Sequence, residues 1–185
     1  MNRRYNVSPT FQISFETLDT HTYLLRASQI LPVPIEKAFS FFEKPEDLFE
    51  ITPDWLDFKL VNAAVKGATY EGAEFDYIIK WLAIPIKWHA KIVEYLPPEQ
   101  FTDVQVRGPY ALWKHLHTFE AVPNGTLMRD SITYRIPFGF IGEILHKFII
   151  LKQLRDIFSY RAVRIAEWAD GNPKSKRTNT DIINP

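Results

Sequence analysis

His115 and His117 stand two residues apart in the run Trp113-Lys114-His115-Leu116-His117-Thr118-Phe119, and at strand spacing they share one face. A second run, Asp130-Ser131-Ile132-Thr133-Tyr134, brings a carboxyl and a phenol at the same period. Such a set can do two kinds of chemistry. Histidine and aspartate ligate divalent ions, but a catalytic zinc needs about three protein ligands, and the two runs offer two histidines with Asp130 only diagonal to His117. Asp103 completes a set only if its strand lies close. Histidines hydrogen-bonded to carboxylates in a polar core account for the same residues, so no metal and no cofactor are expected. The second chemistry is acid/base catalysis by Asp130 and His117, with Tyr134 as a donor to a developing oxyanion and Asp103 nearby. That group can take a proton beside a carbonyl or protonate a leaving hydroxyl. Burial raises a carboxylate pKa and lowers that of histidine while pairing opposes both, so the sign of the shifts stays open.

A hairpin positions these groups. Asn124-Gly125 between two alternating runs predicts a tight primed turn, with Pro123 opposite Thr126, Phe119 opposite Asp130, His117 opposite Ile132, His115 opposite Tyr134 and Trp113 opposite Ile136. Trp113, His115, His117, Phe119, Asp130, Ile132 and Tyr134 then share one face, and Lys114, Glu120, Arg129 and Arg135 the other. Burying four full charges costs far more than burying two neutral imidazoles and a paired carboxylate, so the histidine face is expected to be the concave one.

Upstream, Phe11, Ile13 and Phe15 alternate with polar residues, making residues 1–19 an N-terminal arm or extra strand. His21 to Leu31 reads as a strand stopped by Pro32-Val33-Pro34. Pro34 opens a short helix on Ala38, Phe39 and Phe42, and Pro45 ends it and opens a second through Ile51. Strands follow over Trp55–Val61, Glu74–Trp81, Ile84–Tyr95 and Phe101–Val106, with turns at Gly67 to Gly72, Ala83 to Pro85 and Pro97-Pro98. The last turn sets Ile92 opposite Asp103, Ala90 opposite Gln105 and Trp88 opposite Arg107. Trp88, Asp103 and Gln105 thereby join the candidate pocket, and Arg107 is placed to pair with Asp103 or to meet an anionic head group. Beyond Pro137-Phe138-Gly139 a helix is predicted to Ala169. Its apolar stripe is Ile141, Leu145, Phe148, Leu151, Phe158, Ala162, Ile165 and Ala169, with Arg161, Arg164 and Glu167 on the far side. Phe148, Leu151 and Phe158 are expected to face the histidines. Residues 170–185 are polar and aperiodic, a flexible tail, which leaves residues 20–169 as one α+β ligand-binding domain.

Composition excludes several classes. With 22 Lys plus Arg against 22 Asp plus Glu, the chain has no basic footprint for nucleic acid. The absence of Cys removes thiol chemistry and disulfide scaffolds, and with no secretory h-region it fits a cytoplasmic location. No apolar run approaches the roughly 20 residues of a membrane span. Neither a Gly-rich phosphate loop nor a Gly-x-Ser-x-Gly elbow occurs. The 14 Phe, 8 Tyr and 5 Trp supply flat walls for an apolar or ring-bearing ligand, and core packing uses the same residues.

Ile35 to Phe42, Pro45-Glu46-Asp47-Leu48, Ile51-Thr52-Pro53, Phe101 to Gln105, Gly108-Pro109, Trp113 to Phe119 and Asp130 to Gly139 resemble a bacterial branch of the SRPBCC superfamily. That superfamily includes START, polyketide-cyclase and birch-pollen-allergen-like proteins. Asp47 stands where the branch's pattern has Asn, and the two residues cap a helix comparably. The resemblance implies a helix-grip fold: a curved antiparallel sheet of about six or seven strands wrapped on a long C-terminal helix, with two short helices after the first strand. It also implies a hydrophobic or aromatic small molecule as partner. The expected function is binding or carriage of that molecule; the alternative is a cyclase or dehydratase using Asp130, His117 and Tyr134. Oligomeric state is left open.

Overall fold

The computed structural model describes residues 5–63, 68–81 and 84–171. Eight strands form one antiparallel sheet: β1 (Gln12–Asp19), β2 (Thr22–Leu31), β3 (Lys59–Ala63), β4 (Glu74–Trp81), β5 (Ile84–Leu96), β6 (Gln100–Arg107), β7 (Leu112–Val122) and β8 (Gly125–Arg135). Their order across the sheet is β1-β2-β8-β7-β6-β5-β4-β3. The count exceeds the expected six or seven because the Phe11-Ile13-Phe15 alternation does form a strand, β1, paired along β2. Between β2 and β3 lies an elbow made of α1 (Ile35–Phe42), a tight turn at Pro45–Asp47, α2 (Leu48–Ile51) and a second tight turn at Asp54–Leu56. Trp55 belongs to that last turn rather than to a strand, and β3 begins only after Asp57, whose φ of 41° breaks the extended path. Gly67 and Ala83, read as turn residues, and the tail at 172–185 lie outside the described residues.

In β2, Tyr23, Leu25, Ala27, Gln29 and Leu31 are buried on one face at period two, and β7 buries Trp113, His115, His117 and Phe119 in the same way. Lys114, Glu120, Arg129 and Arg135 are exposed on the opposite face, as the charge argument requires. The hairpin register nevertheless differs from the expected one. Val122 pairs with Gly125, His117 with Asp130, His115 with Ile132 and Trp113 with Tyr134. Pro123 and Asn124 form the turn, because proline's fixed negative φ suits the first corner and Asn124 is not driven to positive φ. The slip is an even number of residues, so every side chain keeps its face.

Gly125 has φ of 131°, and a Cβ there would stand 2.0 Å from the carbonyl oxygen of Leu31 at the end of β2. Gly125→Ala is expected to lose about 1–3 kcal/mol through backbone strain alone. A urea denaturation midpoint equal to that of the wild type would contradict this register.

The C-terminal helix comprises α3 (Gly139–Leu145), one wider π turn (His146–Ile150) and α4 (Leu151–Ala169). Its inward residues are His146, Ile150, Leu154, Phe158 and Ala162, a constant spacing of four. A regular α-helix drifts about 40° at each such step, and the π turn opposes that drift between His146 and Ile150. This overturns the early half of the expected stripe: Ile141 and Phe148 are 64% and 69% exposed, and Leu151 is only half-buried. From Phe158 onward, Ala162, Ile165 and Ala169 are buried as expected. Gln29 donates to the Ala162 carbonyl at 3.1 Å, tying β2 to α4. Among the described residues no helix is long and apolar enough to cross a membrane.

Candidate functional site

Between the sheet, the elbow and the C-terminal helix lies a cavity of about 660 Å³. The elbow contributes Phe42, Pro45, Leu48 and Thr52; strands β4 to β7 contribute Tyr77, Trp81, Trp88, Ala90, Asp103, Trp113, His115 and His117; the helix contributes Leu145, Ile150, Leu154, Phe158 and Arg161. The walls are mainly apolar and aromatic. Trp88 and Trp113 meet edge to face at 5.1 Å, and Tyr110 packs on Trp113 at 4.8 Å. Burial pushes the Tyr77 and Tyr110 phenols up, so both stand as neutral hydroxyls.

Four polar side chains on three adjacent strands form one cluster. Asp103 on β6 pairs with His115 on β7, and Asp130 on β8 pairs with His117. Oδ1 of Asp130 lies 2.9 Å from Nε2 of His115 and 2.9 Å from Nδ1 of His117. The first contact is a well-formed hydrogen bond, and the second is close but poorly aligned. Oδ2 of Asp103 faces the remaining nitrogens, 3.3 Å from Nε2 of His117 and 3.6 Å from Nδ1 of His115. Burial and then the neighbouring His117 lower the His115 pKa. Burial pushes His117 the same way, but its contacts with Asp103 and Asp130 outweigh burial and raise it. Asp130 is likewise opposed by burial, yet the two imidazoles hold its carboxyl far below the usual carboxylate range. The quartet thus favours the neutral ring at His115, the imidazolium at His117 and the carboxylate at Asp130, with Asp103 alongside.

Of the residues expected in the pocket, Trp88, Asp103, Trp113, His115, His117 and Phe158 line the cavity. The others do not. Asp130 sits behind the imidazoles, 5% exposed, because it faces His117 directly and is covered by it. Ile132 is wholly buried in the core beneath α4, and Phe119 packs among Phe39, Phe42 and Phe101. The Gln105 amide is occupied by the Tyr110 backbone, donating to its carbonyl at 2.8 Å, so it shapes the Gly108-Pro109 turn instead. Phe148 and Leu151 are rotated off the wall by the π turn. Arg107 is exposed and pairs across the sheet with His89, because irregularities in the β5–β6 ladder displace Trp88 from it.

Tyr134 is also off the wall: it is fully buried, and its hydroxyl shares a 2.8 Å hydrogen bond with Nε2 of His146. Tyr23 stacks on that imidazole at 3.6 Å. Burial lowers the His146 pKa, which favours the neutral ring in the folded protein, with Nε2 sharing its hydrogen bond with Tyr134. A folded pKa below the unfolded value of about 6.5 means that this contribution is complete above that pH and is lost as pH falls below it. His146→Gln, whose amide oxygen can accept the same bond, is expected to flatten the fall in melting temperature between about pH 7.5 and 5.5. An unchanged slope would contradict the assignment.

The residue missed from sequence is Arg161. It lines the cavity, its guanidinium lies 5.1 Å from the Phe158 ring, and its buried Nε and Nη2 have no hydrogen-bond partner among the described residues. Its position three residues after Phe158 and four before Ile165 places it on the apolar stripe, and that spacing was the available signal.

No family model matches the chain, and no curated protein matches it in sequence. Solved structures do. Protein Ms6760 from Mycobacterium smegmatis superposes with a TM-score of 0.62 at 14% identity, over 88% of this chain and 99% of that one. Protein CV1439 from Chromobacterium violaceum gives 0.61 at 14% identity, over 82% and 99%. Ara h 8.0201, a Bet v 1-like protein, gives 0.58 at 12% identity, over 82% and 99%. The chain thus has the helix-grip fold, which it shares with these structures. In this chain the sheet has eight strands, and three members of the histidine and aspartate quartet, Asp103, His115 and His117, stand on the cavity wall.

Proposed function

We propose that this protein binds and carries a hydrophobic, ring-bearing small molecule between the sheet and the C-terminal helix. The observation that carries the reading is the cavity itself: about 660 Å³, walled by Trp, Tyr, Phe, Ile and Leu with a few polar groups converging on it. Small-molecule sites have this form, in a range of about 300–1,000 Å³. The unpartnered Arg161 nitrogens call for an acceptor, so the ligand carries an anionic or strongly accepting group at that end. Anilinonaphthalene sulfonate combines fused rings with an anion and is the probe of choice. It is expected to bind at one site per chain, with blue-shifted emission and energy transfer from Trp88 and Trp113. Ala90→Phe projects a ring into the cavity and is expected to weaken binding at least about tenfold, ~1.4 kcal/mol, while the fold is retained. Binding unaffected by that substitution would place the ligand elsewhere and remove the reading.

A second reading, an enzyme of the cyclase or dehydratase type, is favoured by His117 and Asp103 both opening onto the cavity. It no longer includes Asp130 or Tyr134 as groups touching substrate, since neither lines the cavity. On this reading His117→Gln lowers turnover of a polyketide-like dicarbonyl compound by about a hundredfold or more with probe binding preserved. Equal turnover in both proteins would leave binding alone.

A further inference from the structure

We propose that Asp103, His115 and His117 form a binding site for one divalent transition-metal ion, open to the cavity and braced from behind by Asp130. The geometry comes first. One oxygen of Asp130 stands 2.9 Å from a nitrogen of each imidazole, accepting the N–H of His115 and lying against Nδ1 of His117. That leaves Nδ1 of His115 as a lone pair, while Nε2 of His117, hydrogen-bonded to Asp103, is the nitrogen that exchanges its proton for the ion. Both point toward Oδ2 of Asp103, at 3.6 and 3.3 Å. A proton on His117 satisfies only one of the two imidazoles, whereas a metal ion satisfies all three ligands.

The spacing also fits. With metal–nitrogen and metal–oxygen bonds of about 2.0–2.2 Å, neighbouring ligand atoms of a tetrahedral ion stand about 3.3–3.6 Å apart. The three ligand atoms all lie within 4.8 Å of one another, so closing on an ion needs only small side-chain movement. Charge agrees: with the His117 proton displaced, two carboxylates and two neutral imidazoles carry two negative charges in a largely buried place, and a divalent cation cancels them. Two imidazoles and a carboxylate suit zinc, iron(II), cobalt or manganese rather than calcium. Asp103, His115 and His117 line the cavity while Asp130 does not, so the remaining coordination position opens to whatever the cavity holds. Asp130 is a positioning residue in this scheme, the carboxylate behind the histidines.

The test is titration of chelator-treated, full-length protein with cobalt(II), followed by its visible d–d absorption and reversed by zinc. One ion per chain is expected, with band intensity of a low-coordinate nitrogen and oxygen site. Asp103→Asn changes a partly exposed wall residue with little risk to folding, and it and His117→Ala are expected to remove saturable binding. Asp130→Asn is expected to keep the stoichiometry, alter the band and weaken binding by about 10–100-fold. His89→Ala, in the separate surface cluster with Glu74 and Asp76, leaves binding unchanged. Absence of saturable cobalt uptake by the wild type, or uptake lost in His89→Ala and intact in Asp103→Asn, overturns the proposal.

Discussion

Asp130→Ala is expected to lower the unfolding free energy of the metal-free protein by about 3–5 kcal/mol, the cost of removing one member of a buried charged pair. Its carboxylate touches both imidazoles at 2.9 Å and is 5% exposed. Without it, His115 keeps a buried N–H with no acceptor and His117 keeps only the longer contact to Asp103. Asp130→Asn retains one amide oxygen as an acceptor and is expected to lose roughly half as much, because only the charge goes. Asp103→Asn, whose side chain is 20% exposed, is expected to lose least of the three. Urea denaturation with a common slope measures all three. A loss below about 1 kcal/mol for Asp130→Ala would mean that the quartet does not brace the sheet.

Arg161→Met is expected to act in the opposite direction. Two buried guanidinium nitrogens without partners carry a desolvation cost of about 1–3 kcal/mol, and methionine fills similar space beside Phe158 without that cost. The variant should be more stable than the wild type by an amount in about that range. Its affinity for the sulfonate probe should fall by about tenfold or more, since the charged hydrogen bonds are gone. The pattern of higher stability with weaker anion binding marks a residue kept for its ligand. Loss of stability, or unchanged affinity, would assign Arg161 to packing.

The sheet and its polarity were legible because period-two alternation survives an even slip. The expected hairpin register was wrong, yet His115, His117 and Asp130 kept their face, and the charges on Lys114 and Arg129 decided which face is concave. The pairing of Asp103 with His115 was not legible. The β6–β7 connection runs through Gly108 and Pro109 rather than a tight two-residue turn, so sequence offers no register for it. Without that register the second carboxylate of the quartet could not be brought to the histidines. The helix misled for a different reason: a π turn changes the phase of everything before it, and His146 to Ile150 carries no residue type that announces one. Arg161 lay on the stripe by spacing but was read by charge as a solvent-facing residue. An arginine at a core position contradicts its local pattern, and functional sites are where such contradictions fall.

The claim that the cavity holds a ligand is tested most directly by native mass spectrometry of the protein purified from the cells that make it. The account predicts a mass above that of the chain by one small organic molecule, released on denaturation and recovered as an apolar, ring-bearing compound with an anionic or acceptor group. The same measurement on Ala90→Phe should show the bare chain. A wild-type protein that carries only its own mass, and stays so after incubation with anilinonaphthalene sulfonate, would contradict the account.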